Sequence, residues 1–229
     1  MKKNYTFNGY YNKIDLSDLD EEITFVEKGS PCGELLRRYW QPVILSEELG
    51  KLPKLVKILD EELVIFRDKS GQVGLLDKHC SHRGASLEYG IIADCGLICS
   101  YHGWHFDIDG TLLKAGSEPC KSPVHKRVKH GAYQTYEYEG IIFAYLGPPE
   151  KTPEFPLYDT QTNNDLLKVP FTIETPCNWL QVYENTQDPI HVIHLHARSS
   201  GVQFGVASGV DQIIEYDNTP LGMINIQTR

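Results

Sequence analysis

The chain has 229 residues, of which 41% are hydrophobic and 23% charged, and its formal net charge is −9. That size admits one large domain or two ordinary ones, with apolar side chains enough for a sizeable core. The acidic balance and the lack of any Lys/Arg run speak against a nucleic-acid partner, and no apolar stretch has the length of a membrane span.

The start, MKKNYTFNGYYNK, has no apolar signal region, so a reducing cytoplasm is the expected setting. GSPCGELLRRYW (29–40) predicts a short helix, with Ser30 as cap and Pro31 in the first turn. Four β-type runs follow, QPVIL, KLVKIL, ELVIFRD and QVGLLD, at the close spacing of an all-β unit. HFDIDGTLLKA sets Asp109-Gly110 between two β-type runs, and YQTYEYEGIIFAYLG turns at Glu139-Gly140; both predict hairpins. GPPEKTPEFP (147–156) has four prolines in ten residues and is the natural boundary, since proline suits neither helix interiors nor central strands. Beyond it LLKVPFTIET predicts a strand. NWLQVYENTQDPIHVIHLHA predicts helix with a restart at Asp188-Pro189, and QIIEYD and LGMINIQT predict two more strands.

Cysteine and histidine fall into two concentrations. In the first, Cys80 and His82 form C-x-H; after sixteen intervening residues Cys99 and His102 form C-x-x-H. Two thiolates and two imidazoles suit either zinc or an iron–sulfur cluster. Zinc sites usually group like ligands, as C-x2-4-C and H-x3-5-H, whereas each loop here mixes them. A Rieske [2Fe–2S] cluster takes two cysteines on one iron and two histidines on the other. CSHRGA…CSYHGW resembles the Rieske motif of ring-hydroxylating oxygenases, with Ser81 where that family usually has proline. The resemblance implies that Cys80 and Cys99 bind one iron, that His82 and His102 bind the other, and that Trp104 packs beside the cluster. Cys95 is then surplus. Cys32, Cys120 and Cys177 read as small buried residues, and His79 and His105 as flanking groups. His125 and His130, in CKSPVHKRVKH, read as part of a solvated basic face; the sharper alternative is a docking surface for an acidic redox partner.

The second concentration is Asp188, His191, His194 and His196. On an ideal α-helix His191 and His194 are about 60° apart and His191 and His196 about 140° apart, so spacing alone pairs His191 with His194. CNWLQVYENTQDPIHVIHLHA resembles the catalytic-iron segment of the same oxygenases, N-W-x4-E-N followed by D-x2-H-x4-H. That pattern selects Asp188, His191 and His196, which a bulged turn could bring together. The resemblance implies a mononuclear Fe(II) held by two histidines and a carboxylate. It puts Asn185 near that iron. It also makes Asp188 a bridge between His102 of one subunit and His191 of the next, in a homotrimer. The bland role for Asp188 is the helix cap before Pro189. The family's third ligand lies far downstream. Asp211, Glu215 and Asp217 do not match it and are left unassigned, so the sequence looks like the N-terminal part of an oxygenase subunit.

The similarity extends over GELLRRYWQPV and the strands through YLGPP to phthalate-dioxygenase-like α subunits. It implies a mainly β Rieske domain at 41–148 and, at 149–229, the N-terminal part of an α+β, helix-grip-like catalytic domain. Residues 1–40 are then a helical segment packing on the catalytic domain. The implied activity draws NAD(P)H electrons through a flavin/iron–sulfur reductase to the cluster and on to Fe(II), for O2-dependent hydroxylation or demethylation of an aromatic or alicyclic substrate. The rival is an electron-transfer module without oxygenase activity, because the third iron ligand is absent.

Overall fold

The computed structural model describes residues 20–116, 118–119, 122–163, 165–199, 212–220 and 222–228. The chain groups into two compact units, Met1–Ile173 and Glu174–Arg229. Among the described residues no helix is long and apolar enough to cross a membrane.

The first unit opens with two short helices, α1 (Glu21–Thr24) and α2 (Pro31–Leu36). The Ser30 hydroxyl accepts from the Gly33 amide at 3.1 Å and Pro31 occupies the first turn, as the sequence predicts. Arg37, at the end of α2, is buried. Its guanidinium donates to the carbonyls of Val26, Gly33 and Leu59 and to the Glu61 carboxylate at 2.8 Å. These bonds tie the segment before Trp40 to the turn between the second and third strands.

Ten strands follow among the described residues: β1 (Trp40–Leu45), β2 (Lys54–Ile58), β3 (Glu61–Arg67), β4 (Val73–Asp77), β5 (Ile91–Ile92), β6 (Leu97–Ile98), β7 (Trp104–Phe106), β8 (Leu112–Ala115), β9 (Ala132–Tyr138) and β10 (Ile141–Tyr145). Six form an antiparallel sheet in the order β1-β10-β9-β4-β3-β2; the short middle strands form a second sheet, β5-β6-β7-β8. Helix α3 (Val124–Arg127) sits between β8 and β9. Side chains alternate along a strand, so β3 feeds two cores. Val64 and Phe66 pack with Leu87, Leu97, Cys99 and Trp104 between the sheets, while Leu63 and Ile65 pack with Ile44, Leu75 and Ile142 on the other face. Burial on both faces is why ELVIFR reads as a continuous apolar run. The β9–β10 turn uses Glu139 (φ 48°) and Gly140 (φ 77°), and Gly110 (φ 80°) turns the chain between β7 and β8.

The proline-rich stretch folds back on the β unit. The Trp40 indole donates to the Pro153 carbonyl at 3.1 Å, and the Phe155 ring lies 4.5 Å from Tyr136 and 4.9 Å from Phe143. After helix α4 (Asp159–Thr162) the expected strand LLKVPFTIET does not form. The stretch carries strand-like alternation, but Leu167, Val169, Phe171 and Ile173 stay exposed. Alternation marks a surface that fits a sheet; it becomes a strand only when a neighbour accepts its hydrogen bonds.

In the second unit Asn178 caps helix α5 (Trp179–Gln187) by accepting from the Leu180 amide at 2.9 Å. The helix ends at Asp188 and restarts. The Asp188 carboxylate caps the restart, accepting from the amides of Ile190 (2.8 Å) and His191 (3.4 Å). Val192–Ser199 then winds as a π-helix. The two expected strands form the antiparallel hairpin β11 (Ile213–Thr219) and β12 (Gly222–Thr228). The Tyr216 hydroxyl of β11 donates to the Gln187 carbonyl at 3.1 Å and fastens the hairpin to the end of α5.

Candidate metal centre

Two loops, one joining the large sheet to the small one and one within the small sheet, carry the first motif, and they share one bonding plan. In the loop after β4 the Cys80 amide donates to Ala85 and the Gly84 amide donates back to Cys80, at 2.9 and 2.8 Å. In the loop between β6 and β7 the Cys99 amide donates to Trp104 and the Gly103 amide donates back to Cys99, at 2.7 and 3.0 Å. Gly84 (φ 69°) and Gly103 (φ 68°) take the left-handed conformation that closes each loop. Each loop therefore points a cysteine inward and offers a histidine at its tip.

The four donors separate by type. Cys80 and Cys99 are buried free thiols within hydrogen-bonding reach of each other. His82 and His102 are exposed, with ring centroids 4.7 Å apart. Trp104 stacks on His82 at 4.7 Å and 3°, which fixes that imidazole's plane; Tyr101 lies against His102 at 3.8 Å. Burial pushes the Cys80 thiol up to about 11. The amides of His82 and Arg83 donate to its sulfur and oppose that rise, while the neighbouring Cys99 thiol adds to it. A metal entering here must displace a proton from Cys80. Among the described residues no three His, Cys, Asp or Glu side chains converge on one point as a single-ion site requires. Two sulfurs on the buried side and two imidazoles on the exposed side instead match the two-plus-two demand of a Rieske cluster.

The second motif lies on the restart helix. π-winding closes i→i+5 bonds, and the His191 and His196 rings come within 5.2 Å. Ideal α-geometry would have favoured His194, which is exposed. Asp188 Oδ2 is 3.6 Å from His191 Nδ1, a buried atom with no hydrogen-bond partner. Glu215 and Asp217 lie on β11; Asp211 and Cys120 lie outside the described residues.

Two readings change, and one flanking group gains a partner. His130 is not on a solvated face: it is 3% exposed, stacked on Phe106 at 4.5 Å. Its sequence neighbours are basic, but the strand pairing that begins at Ala132 carries it under the Cys80 loop, where Ser81 Oγ meets it. Cys177 is exposed rather than buried, because it precedes α5 in an unpaired stretch. His105, one of the flanking groups, bonds the Cys95 carbonyl.

The model of the Rieske [2Fe–2S] domain matches residues 39–136. The oxygenase subunit of tert-butanol monooxygenase / tert-amyl alcohol desaturase from Aquincola tertiaricarbonis is 48% identical over 82% of this chain and 41% of its own length. The phthalate 4,5-dioxygenase oxygenase subunit of Pseudomonas putida is 40% identical over 75% of this chain and 40% of its own. Among solved structures, Pseudomonas putida CBB5 NdmA superposes with a TM-score of 0.67 at 25% identity, covering 85% of this chain and 59% of that one. An oxygenase–ferredoxin complex of carbazole 1,9a-dioxygenase gives 0.57 at 29% identity, covering 72% and 43%. The chain spans about half or less of the length of the curated relatives it matches. The chain carries a β-rich Rieske domain followed by a short α+β segment, and its homologues are ring-hydroxylating oxygenase α subunits of the phthalate-dioxygenase-like kind.

Proposed function

We propose that this chain works in the oxygenase component of a Rieske-type system. It takes electrons from a separate reductase or ferredoxin that draws on NAD(P)H and supports O2-dependent hydroxylation or demethylation of a small aromatic or alicyclic substrate. The observation that carries this reading is the separation of donors: two buried sulfurs on one side, two exposed imidazoles 4.7 Å apart on the other. A bound [2Fe–2S] cluster supplies one-electron chemistry at a potential raised by its imidazoles, and a bound Fe(II) supplies O2 activation.

The chain's own residues do the rest. Cys80 and Cys99 keep the sulfur side dry, while His82 and His102 bring the other side to the surface, where an electron donor can approach. Trp104 holds the His82 plane. In the second unit Asp188 faces the Nδ1 side of His191 and so orients it, leaving Nε2 of that ring for iron beside His196. The contact of His102 with Asp188 of a neighbouring copy in a homotrimer belongs to this same proposal.

The second reading is an electron-transfer module alone, in which the chain carries the cluster without the mononuclear iron. Iron analysis separates the two. Roughly three irons per chain support both centres, and roughly two support the carrier. Reductase-supplied, cluster-loaded protein that consumes no O2 with any small aromatic acid or alcohol would sink the oxygenase reading. A colourless protein holding zinc would sink both.

A further inference from the structure

Ser81 departs from the family pattern, and its hydroxyl has a definite partner. Ser81 Oγ lies 2.7 Å from His130 Nδ1, and His130 Nε2 lies 2.9 Å from the Asp77 carbonyl oxygen. A carbonyl only accepts, so Nε2 carries the ring proton and Nδ1 accepts from the Ser81 hydroxyl. Burial holds the His130 pKa below its ordinary value, in keeping with a neutral ring. The stack on Phe106 fixes the ring plane. Ser81 also lies between Cys80 and His82, and the amides of His82 and Arg83 donate to the Cys80 sulfur. A side chain anchored at residue 81 therefore restrains the direction of the next two N–H bonds.

We infer that the Ser81–His130–Asp77 chain is a positioning device that aims the His82 and Arg83 amides at the Cys80 sulfur and so sets the reduction potential of the cluster. This rests on the reading of Cys80 as a cluster ligand. Hydrogen bonds to a ligand sulfur favour the more electron-rich, reduced state, so slackening them lowers the potential. A clip that only stabilised the fold would alter melting and leave the potential alone.

The test uses the full chain with its cluster loaded, compared at equal iron content. Midpoint potential and electron paramagnetic resonance g-values are measured for the unaltered protein, Ser81→Ala, His130→Phe, the double variant and Ser81→Thr. Ser81→Ala and His130→Phe are expected to shift the reduction equilibrium about tenfold toward the oxidised form, about 59 mV for one electron. The double variant should shift no further than either single one, and Ser81→Thr, which keeps the hydroxyl, should match the unaltered protein. Unchanged potentials and g-values in both single variants overturn the inference. So do shifts that add in the double variant, because additive effects act by separate routes. If Ser81→Ala fails to load, His130→Phe and Ser81→Thr decide by the same criteria. Unaltered protein that binds no iron would instead refute the ligand reading itself.

Discussion

Gly84 and Gly116 both take left-handed backbone angles, φ 69° and 51°, but their surroundings differ. A Cβ at Gly84 meets nothing within 4 Å, so Gly84→Ala carries only backbone strain, about 1–2 kcal/mol. A Cβ at Gly116 would drive into the His102 carbonyl oxygen and displace a histidine proposed to hold the cluster. Gly116→Ala is therefore expected to lower both the melting temperature and the bound iron, while Gly84→Ala lowers the melting temperature and keeps the iron. Thermal melts with iron analysis check this. Asp68 offers a pH test. Burial pushes its carboxyl up, but bonds from the Ser70 hydroxyl and the amides of Gly96, Gln72 and Ser70 outweigh burial and hold it below the usual value. Its folded pKa lies under its unfolded one, so its stabilisation is present above the unfolded pKa of about 3.9 and is lost as pH falls through the folded value. Asp68→Asn should cost roughly 1.5–3 kcal/mol at neutral pH, and that gap should close in acid, as urea melts along a pH series would show. The ligand-type residues were legible one by one in the sequence because their spacing is local. His130 was not, because its burial depends on strand β9 passing under a loop fifty residues earlier.

At the scale of elements, the turns were the most readable feature. Ser30-Pro31, Asp109-Gly110 and Glu139-Gly140 each impose a backbone geometry from within a few residues, and each turn lies where expected. The extended stretch 166–175 shows the opposite case: its alternation is present, but pairing needs a partner that no local pattern supplies. The π-helix lies between these cases. Helical spacing alone pointed to His194, and the wider winding that brings His196 toward His191 is set by where the chain restarts after Asp188. The N-terminal segment is fastened by a half-buried ion pair, Arg37 with Glu61, to which the Tyr133 hydroxyl also donates. Arg37→Ala would leave Glu61 and the carbonyls of Val26, Gly33 and Leu59 without the guanidinium. The expected loss is about 1.5–3 kcal/mol, read as a lower urea midpoint, with Arg37→Met less harmful because its stem still fills the space.

At the scale of the molecule, the two units are unequal. The first has two packed sheets and a double core. Among the described residues the second unit's sheet is one hairpin, and Ile213, Met223 and Ile224 on it are exposed, as are Phe171 and Ile173 at the end of the first unit. Two-stranded ribbons are marginal alone, and open edges recruit other chains. A polypeptide of these 229 residues is expected to self-associate at micromolar concentration. Phe171→Lys with Ile224→Lys should reduce that association in light scattering and leave the visible spectrum unchanged. The paired loops of the first unit have a different consequence. On the proposed assignment each gives one sulfur and one imidazole, so neither iron can be satisfied by one loop alone. The centre would then act as a coincidence detector for folding: colour is expected only in molecules whose two loops, separated by β5 and β6, have closed on each other, so that absorbance counts correctly closed chains.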